Sequence, residues 1–313
     1  MLRFNLIRTF ILSAITATSV SGCAKKATSV VTTDQTYLVA DSAVSSVSGA
    51  LNDSEQANSY ALHSPGFELI STAYAASCGL SRFSPSIGGN CNATTGAETV
   101  LSNFVNCTAG RSDEFTMNGQ VVLTFDTNST CNTWLSGMGL PTSGSVTRTT
   151  TNFTRSNPDG SIVAVSSAAF TNYAGTAIGG GVTTTFGAGS RSLSINGIHR
   201  VRTSALGRTV FDHSVSTTSP LIVTGTRLGG NRTISSGTVK VDHNLAKFSS
   251  TASLAGLSWN SSCCHPISGV VTFALTGSST DSVAIDYASG TCGEAKITKN
   301  GDFLGTIELP GCE

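Results

Sequence analysis

The sequence has little charge of either sign. Its 18 Lys plus Arg are matched by 18 Asp plus Glu, and charged residues fill only 12% of 313 positions. A neutral chain without basic or acidic tails lacks the phosphate-neutralising footprint of a nucleic-acid binder, so no nucleic-acid partner is expected. Aromatic residues are scarce as well, at 7%, which argues against the aromatic girdles of a transmembrane β-barrel. With 39% apolar residues, 33 Gly and 7 Pro, the chain is neither collagen-like nor charged disorder, and it is long enough to bury one large core or two smaller ones.

Catalytic motifs are missing too. There is no G-x-S-x-G elbow, H-E-x-x-H pair, glycine-rich phosphate loop or EF-hand pattern. Gly179-Gly180-Gly181 runs into Val-Thr-Thr-Thr with no helix opening behind it, so it reads as a loop or bulge. Neither enzymatic activity nor a cofactor is expected. What the chain has in abundance is hydroxyl: 46 Ser and 43 Thr.

The amino terminus carries an address. Arg3 and Arg8 without an acid, an apolar run from Phe10 to Ala17, and small residues ending at Cys23 read as an export signal, too short for a retained membrane span. Val20-Ser21-Gly22-Cys23 resembles the lipobox of bacterial lipoproteins at all four motif positions. The resemblance implies cleavage after Gly22, a diacylglycerol thioether on Cys23 and acylation of its amino group with fatty acid such as palmitate. Several chains together hold a protein on a bilayer, because each buried methylene contributes about 0.8 kcal/mol. Ala24 follows the cysteine where an inner-membrane lipoprotein tends to carry Asp, so the resemblance implies sorting to the outer membrane.

With Cys23 lipidated, eight cysteines remain: Cys78, Cys91, Cys107 and Cys131 in one group, Cys263, Cys264, Cys292 and Cys312 in another. An even number in an exported chain predicts disulfides within each group. Cys263 and Cys264 are expected to bond Cys292 and Cys312, in either order.

Residues 23–64 read as the lipidated cysteine and a flexible tether, 65–142 as the Cys-rich first part of a β domain, and 143–313 as an antiparallel meander ending in the second cysteine group. Phe67, Ile70 and Tyr74 predict a short helix over 67–76. The rest predicts strands. Val121, Leu123 and Phe125 share a face, as do Val239 and Val241, Val271, Phe273 and Leu275, and Val283, Ile285 and Tyr287. Asn-Gly at 118–119, 196–197 and 300–301, and Asn157-Pro158-Asp159-Gly160, predict hairpin turns. No useful helix is expected over 112–313, so the fold class is all-β. The meander of roughly a dozen strands would close as a sandwich or a barrel-like sheet.

The histidines offer one arrangement for chemistry. A hairpin at Ala205-Leu206-Gly207 would place His199 opposite His213 and Val201 opposite Phe211. His243 would complete a three-histidine metal site only if Gly237 marks a bulge. With turns near 218 and 230 it falls on the opposite face, so a cross-strand His199/His213 pair without metal is the expectation. Asp212 and Asp242 alternate away from the histidines that follow them. Trp134 and Trp259, each close to a cysteine, are expected to pack against disulfides.

Beyond the lipobox, the run Cys263-Cys264-His265-Pro266 through Ser268-Gly269, then Cys292-Gly293, is similar to the carboxyl-terminal segment of uncharacterised β-rich envelope lipoproteins of Gram-negative bacteria. Together these readings predict a non-enzymatic envelope protein, anchored to the membrane at Cys23, with a structural, adhesion or surface-interaction role. The alternative is a periplasmic carrier whose curved sheet encloses an apolar ligand such as lipid.

Overall fold

Alternation of β-branched or aromatic residues with Ser and Thr favours pleated strands with one dry and one wet face. The structure, a computed structural model, describes residues 98–109, 115–136, 141–225, 231–260, 262–277, 281–288 and 292–308. The expected helix over 67–76, the anchor Cys23, and Cys78, Cys91 and Cys312 lie outside the described residues, as do the side chains of Cys107 and Cys264.

The elements in chain order are β1 (Glu98–Ala109), β2 (Phe115–Phe125), α1 (Asn128–Ser136), β3 (Ser145–Ser156), β4 (Ile162–Ser166), β5 (Phe170–Thr171), β6 (Ala177–Ile178), β7 (Gly181–Gly187), β8 (Ser190–Thr203), β9 (Thr209–Gly225), β10 (Arg232–His243), β11 (Phe248–Asn260), β12 (Cys263–Thr276), β13 (Ser282–Asp286), β14 (Glu294–Lys299) and β15 (Asp302–Glu308). All but β5 and β6 belong to one 13-stranded antiparallel sheet, in which chain neighbours pair almost throughout. The fold is all-β.

One position in the sheet is filled by two strands. β4 pairs the far end of β3 and the last residues of β8, whereas β7 pairs the near end of β3 and the first part of β8. Both run in the same direction, so they make a single strand interrupted after Ser166. The excursion between them, residues 167–180, carries the small β5–β6 hairpin as an arm. Ser167 ties its stem down: the Thr150 amide donates to Ser167 Oγ at 3.0 Å, and the Ser167 amide donates to the Thr150 carbonyl.

The four expected apolar faces are all buried. Val215, Val239, Val241, Phe273 and Ile285 have no measurable exposure, and they join Leu221, Leu254, Val271, Val283 and Ile297 in one core cluster spanning β4 to β14. Burying each such side chain contributes about 1.5–3 kcal/mol, enough to fix the register of every strand it sits on.

Departures from the expected pattern have local causes. A helix, α1, follows β2. Thr127 caps it, accepting the Thr130 amide on Oγ1 at 3.2 Å, and nine residues suffice because Trp134 is buried between the rings of Phe125 and Phe186. Of the three Asn-Gly pairs only Asn300-Gly301 makes a hairpin, with both residues at positive φ. Asn118-Gly119 sits inside β2 at a bulge, where Asn118 Oδ1 accepts the Asn106 amide of β1. Asn196-Gly197 lies inside β8. The Asn157–Gly160 turn does join β3 to β4. The guanidinium carbon of Arg232 lies over Trp259, 4.4 Å from the ring centroid.

Cys263 bonds Cys292, which connects the start of β12 to the start of β14 across a separation of 29 residues. Cys131 on α1 is also disulfide-bonded. Closing a loop of the Cys263–Cys292 size lowers the entropy of the unfolded chain. Replacing both residues with Ala should therefore cost about 3 kcal/mol, seen as a lower urea midpoint in the variant than in the oxidised parent. Equal midpoints would show that the bridge adds no stability.

Candidate functional site

Polar side chains are concentrated on both faces of β8 to β11, near the turn that joins β10 to β11. Their placement follows from the register of β9. Thr203 opposes Thr209, as a hairpin at Ala205–Gly207 requires, but one extra residue, Val210, is then inserted before Arg202 meets Phe211. A one-residue slip turns every later side chain to the other face. His199 therefore opposes Ser214, Arg200 opposes His213, and Val201 opposes Asp212. The expected His199/His213 pair is not formed: His199 lies on the outer face and His213 on the inner face with Val215.

His213 instead pairs with His243. β9 runs unbroken through residue 218, so β10 is its direct neighbour, and irregularities around Ser236 to Val239 adjust the register until His243 sits opposite His213. Gly237 lies among them at φ +142°, and a Cβ there would come within 2.4 Å of Leu221 Cδ2. His243 Nδ1 is 2.9 Å from His213 Nε2, and His243 Nε2 is 3.3 Å from Ser250 Oγ. Phe211 stacks on His213 and Phe248 on His243. With both rings neutral, one nitrogen of the contact donates and the other accepts. Burial pushes His213 down to about 4, with the Arg200 charge adding to it, and burial together with the neighbouring His213 pushes His243 to about 3. The nitrogens are in direct hydrogen-bond contact, and no group of three His, Cys, Asp or Glu able to hold a metal occurs among the described residues.

The outer face carries a second network, covered by the arm. Phe170 stacks on the His199 ring with centroids 3.7 Å apart, and His199 Nε2 lies 2.9 Å from Asp212 Oδ1. Asn172 Nδ2 donates to Asp242 Oδ2 at 2.7 Å, and Ser249 Oγ donates to the other carboxylate oxygen, where Lys240 Nζ also lies at 2.9 Å. With its proton committed to Asp242, Ser249 accepts from the Tyr173 hydroxyl at 2.8 Å. Asn244 links the halves, donating to Asp212 Oδ1 and Ser214 Oγ and accepting the Tyr173 amide.

Burial would raise the Asp242 carboxyl, but hydrogen bonds from Ser249, Lys240 and Asn172, with the Lys240 charge, hold it below the usual carboxylate range. As expected from alternation, Asp212 and Asp242 serve neither His213 nor His243. Chemically the network is a clamp. Its donors and acceptors engage one another, and it fastens the arm to four strands.

Nothing in the residue pattern marks the arm as a partner of these residues. Its one local signal is Asn172, whose Oδ1 accepts the amides of Ala174 and Thr176 and so shapes the turn that aims Asn172 Nδ2 and Tyr173 at β10 and β11.

No protein-family model, curated protein or solved structure matches the chain.

Two predictions follow from this geometry. A Cβ on Gly197 would lie 2.2 Å from the backbone nitrogen of Gly179, at the base of the arm. Gly197→Ala should lift the arm at a cost of about 1–3 kcal/mol, accelerating amide exchange across residues 170–178; exchange equal to the parent's would mean that this approach does not seat the arm. The second concerns pH. Both inner histidines have lowered folded values, so below about 6.5 the unfolded chain takes up protons that the folded chain refuses. Stability should fall as pH falls from about 6.5 towards 4, by at most about 1.4 kcal/mol per unit per histidine. Urea midpoints measured across that window should flatten in the His213→Phe/His243→Phe double variant.

Proposed function

We propose that this chain is a lipid-anchored protein of a bacterial outer membrane, a non-enzymatic scaffold with a structural, adhesion or surface-interaction role. The observation that carries the reading is the internal closure of the polar site: the arm, Asp242, Ser249, Asn244 and Asp212 satisfy one another, as a structural clamp does. Lipobox-like Val20-Ser21-Gly22-Cys23 supports the anchor. The Cys263–Cys292 bridge supports an oxidising compartment. The core cluster is aliphatic and aromatic, and with it are buried Arg148, Arg191, His213 and His243, polar groups that suit a scaffold better than a carrier of apolar ligands.

Labelled palmitate tests the anchor. The parent should take up label and fractionate with the outer membrane, and Cys23→Ser should do neither. Unlabelled parent, or a Cys23→Ser chain still held in the membrane fraction, would overturn the anchor. Non-permeant protease added to intact cells then reads the role: degradation is expected for surface interaction, and protection until the envelope is opened would exclude it.

A further inference from the structure

The meander has two ends, and they differ. Connections β3–β4, β8–β9, β10–β11, β12–β13 and β14–β15 lie at one end, while α1, β7–β8 and β11–β12 lie at the other. Among the described residues, the five large apolar side chains that stand exposed are Ile162, Leu206, Val210, Leu245 and Phe303. Each is in, or within two residues of, a turn at the first end. Leu206, 83% exposed, is at the tip of the β8–β9 turn, and Leu245, 56% exposed, is in the β10–β11 turn.

These turns form a row. A Cβ on Gly160 would touch Ala205, which brings the β3–β4 and β8–β9 turns together, and one on Gly277 would come within 3.2 Å of the Lys247 carbonyl, which brings the β10–β11 and β12–β13 connections together. Lys299 pairs with Asp281 and continues the row to β14–β15. Basic residues flank the apolar tips of the β3–β4, β8–β9 and β10–β11 turns: Arg155, Arg202, Arg208 and Lys247, against Asp159, which lies 4.0 Å from Arg202, and against Asp212 and Asp242, which are engaged by His199 and Lys240. Arg208 and Lys247 are exposed beside Leu206 and Leu245.

We propose that this end of the sheet docks on an anionic phospholipid bilayer, with Leu206, Val210 and Leu245 entering the headgroup layer and Arg208 and Lys247 meeting lipid phosphates. Separate projections one side chain deep, each with a cation beside it, match an interface a few ångströms thick. A protein partner would call for a contiguous apolar patch instead. The docking surface is independent of Cys23, because it is built from loops of the folded sheet.

The test uses the full-length chain carrying Cys23→Ser, so that success or failure of the lipid-anchor reading does not enter. Sedimentation with phosphatidylglycerol/phosphatidylcholine vesicles should carry the protein down at low salt and less at high salt, and pure phosphatidylcholine should carry little. Leu206→Asp/Leu245→Asp should weaken binding about tenfold or more, since two apolar insertions are lost. Arg208→Glu/Lys247→Glu should remove the preference for anionic vesicles. Unchanged thermal midpoints would show both variants folded. No sedimentation with anionic vesicles, or sedimentation that both variants leave unaltered, would overturn the proposal. So would self-association abolished by the leucine substitutions without any vesicle binding, which would assign the surface to a second copy of the chain.

Discussion

The polar architecture of this sheet depends on the register of its central strand. β9 is 17 residues long, and each side chain's face is set by the count of residues back to the β8–β9 turn. Val210 adds one to that count. The addition sends His199 to the outer face, where Asp212 and Phe170 receive it, and leaves His213 on the inner face opposite His243. Without it, two histidines would face each other across β8 and β9, and neither network would exist in its present form.

The two networks solve opposite problems. On the inner face the imidazoles are buried against Phe211 and Phe248 with the Arg200 charge beside them, so they stay neutral, and they share one hydrogen bond while Ser250 serves the far side of His243. On the outer face a carboxylate is covered but kept ionised, because three donors converge on it. The covering piece comes from an interruption in a strand. Such a break would leave β3 and β8 unpaired at that point, but β4 and β7 occupy the gap in turn, and the residues between them become available to cover the outer face.

Sequence periodicity revealed the apolar faces of β2, β10, β12 and β13, because burying Val, Ile and Phe at every second position is the dominant free-energy term and leaves a period of two. The Asn157–Gly160 and Asn300-Gly301 turns were legible for the same local reason: their residues carry the required backbone conformations themselves. Bulges were not legible. Asn118-Gly119 suits a bulge as well as a hairpin, since both need a residue at positive φ, and only the partner strand decides between them. Gly197 owes its place to a backbone crossing above it, contributed by residues some 18 positions earlier. The candidate site was read in part. Its histidines and aspartates were identified, but their partners depend on shifts of one residue, which no composition or periodicity reports. Helix α1 was missed because its stability comes from Trp134 entering a pocket between two rings rather than from helix-forming residues.

The arm also bears on the order of assembly. Most pairs in the meander join strands that follow one another directly, so each can form as soon as the next strand has emerged from synthesis. Asn172 and Asp242 are 70 residues apart, and Tyr173 and Ser249 are 76 apart. Residues 167–180 must therefore wait, unclamped, until β9, β10 and β11 have all been made and paired in the right register. A β9 slipped by one residue would turn Asp212 away from the arm. The full set of arm contacts exists only when β8 to β11 are aligned as they are here, so the arm's seating depends on the register of the strands beneath it.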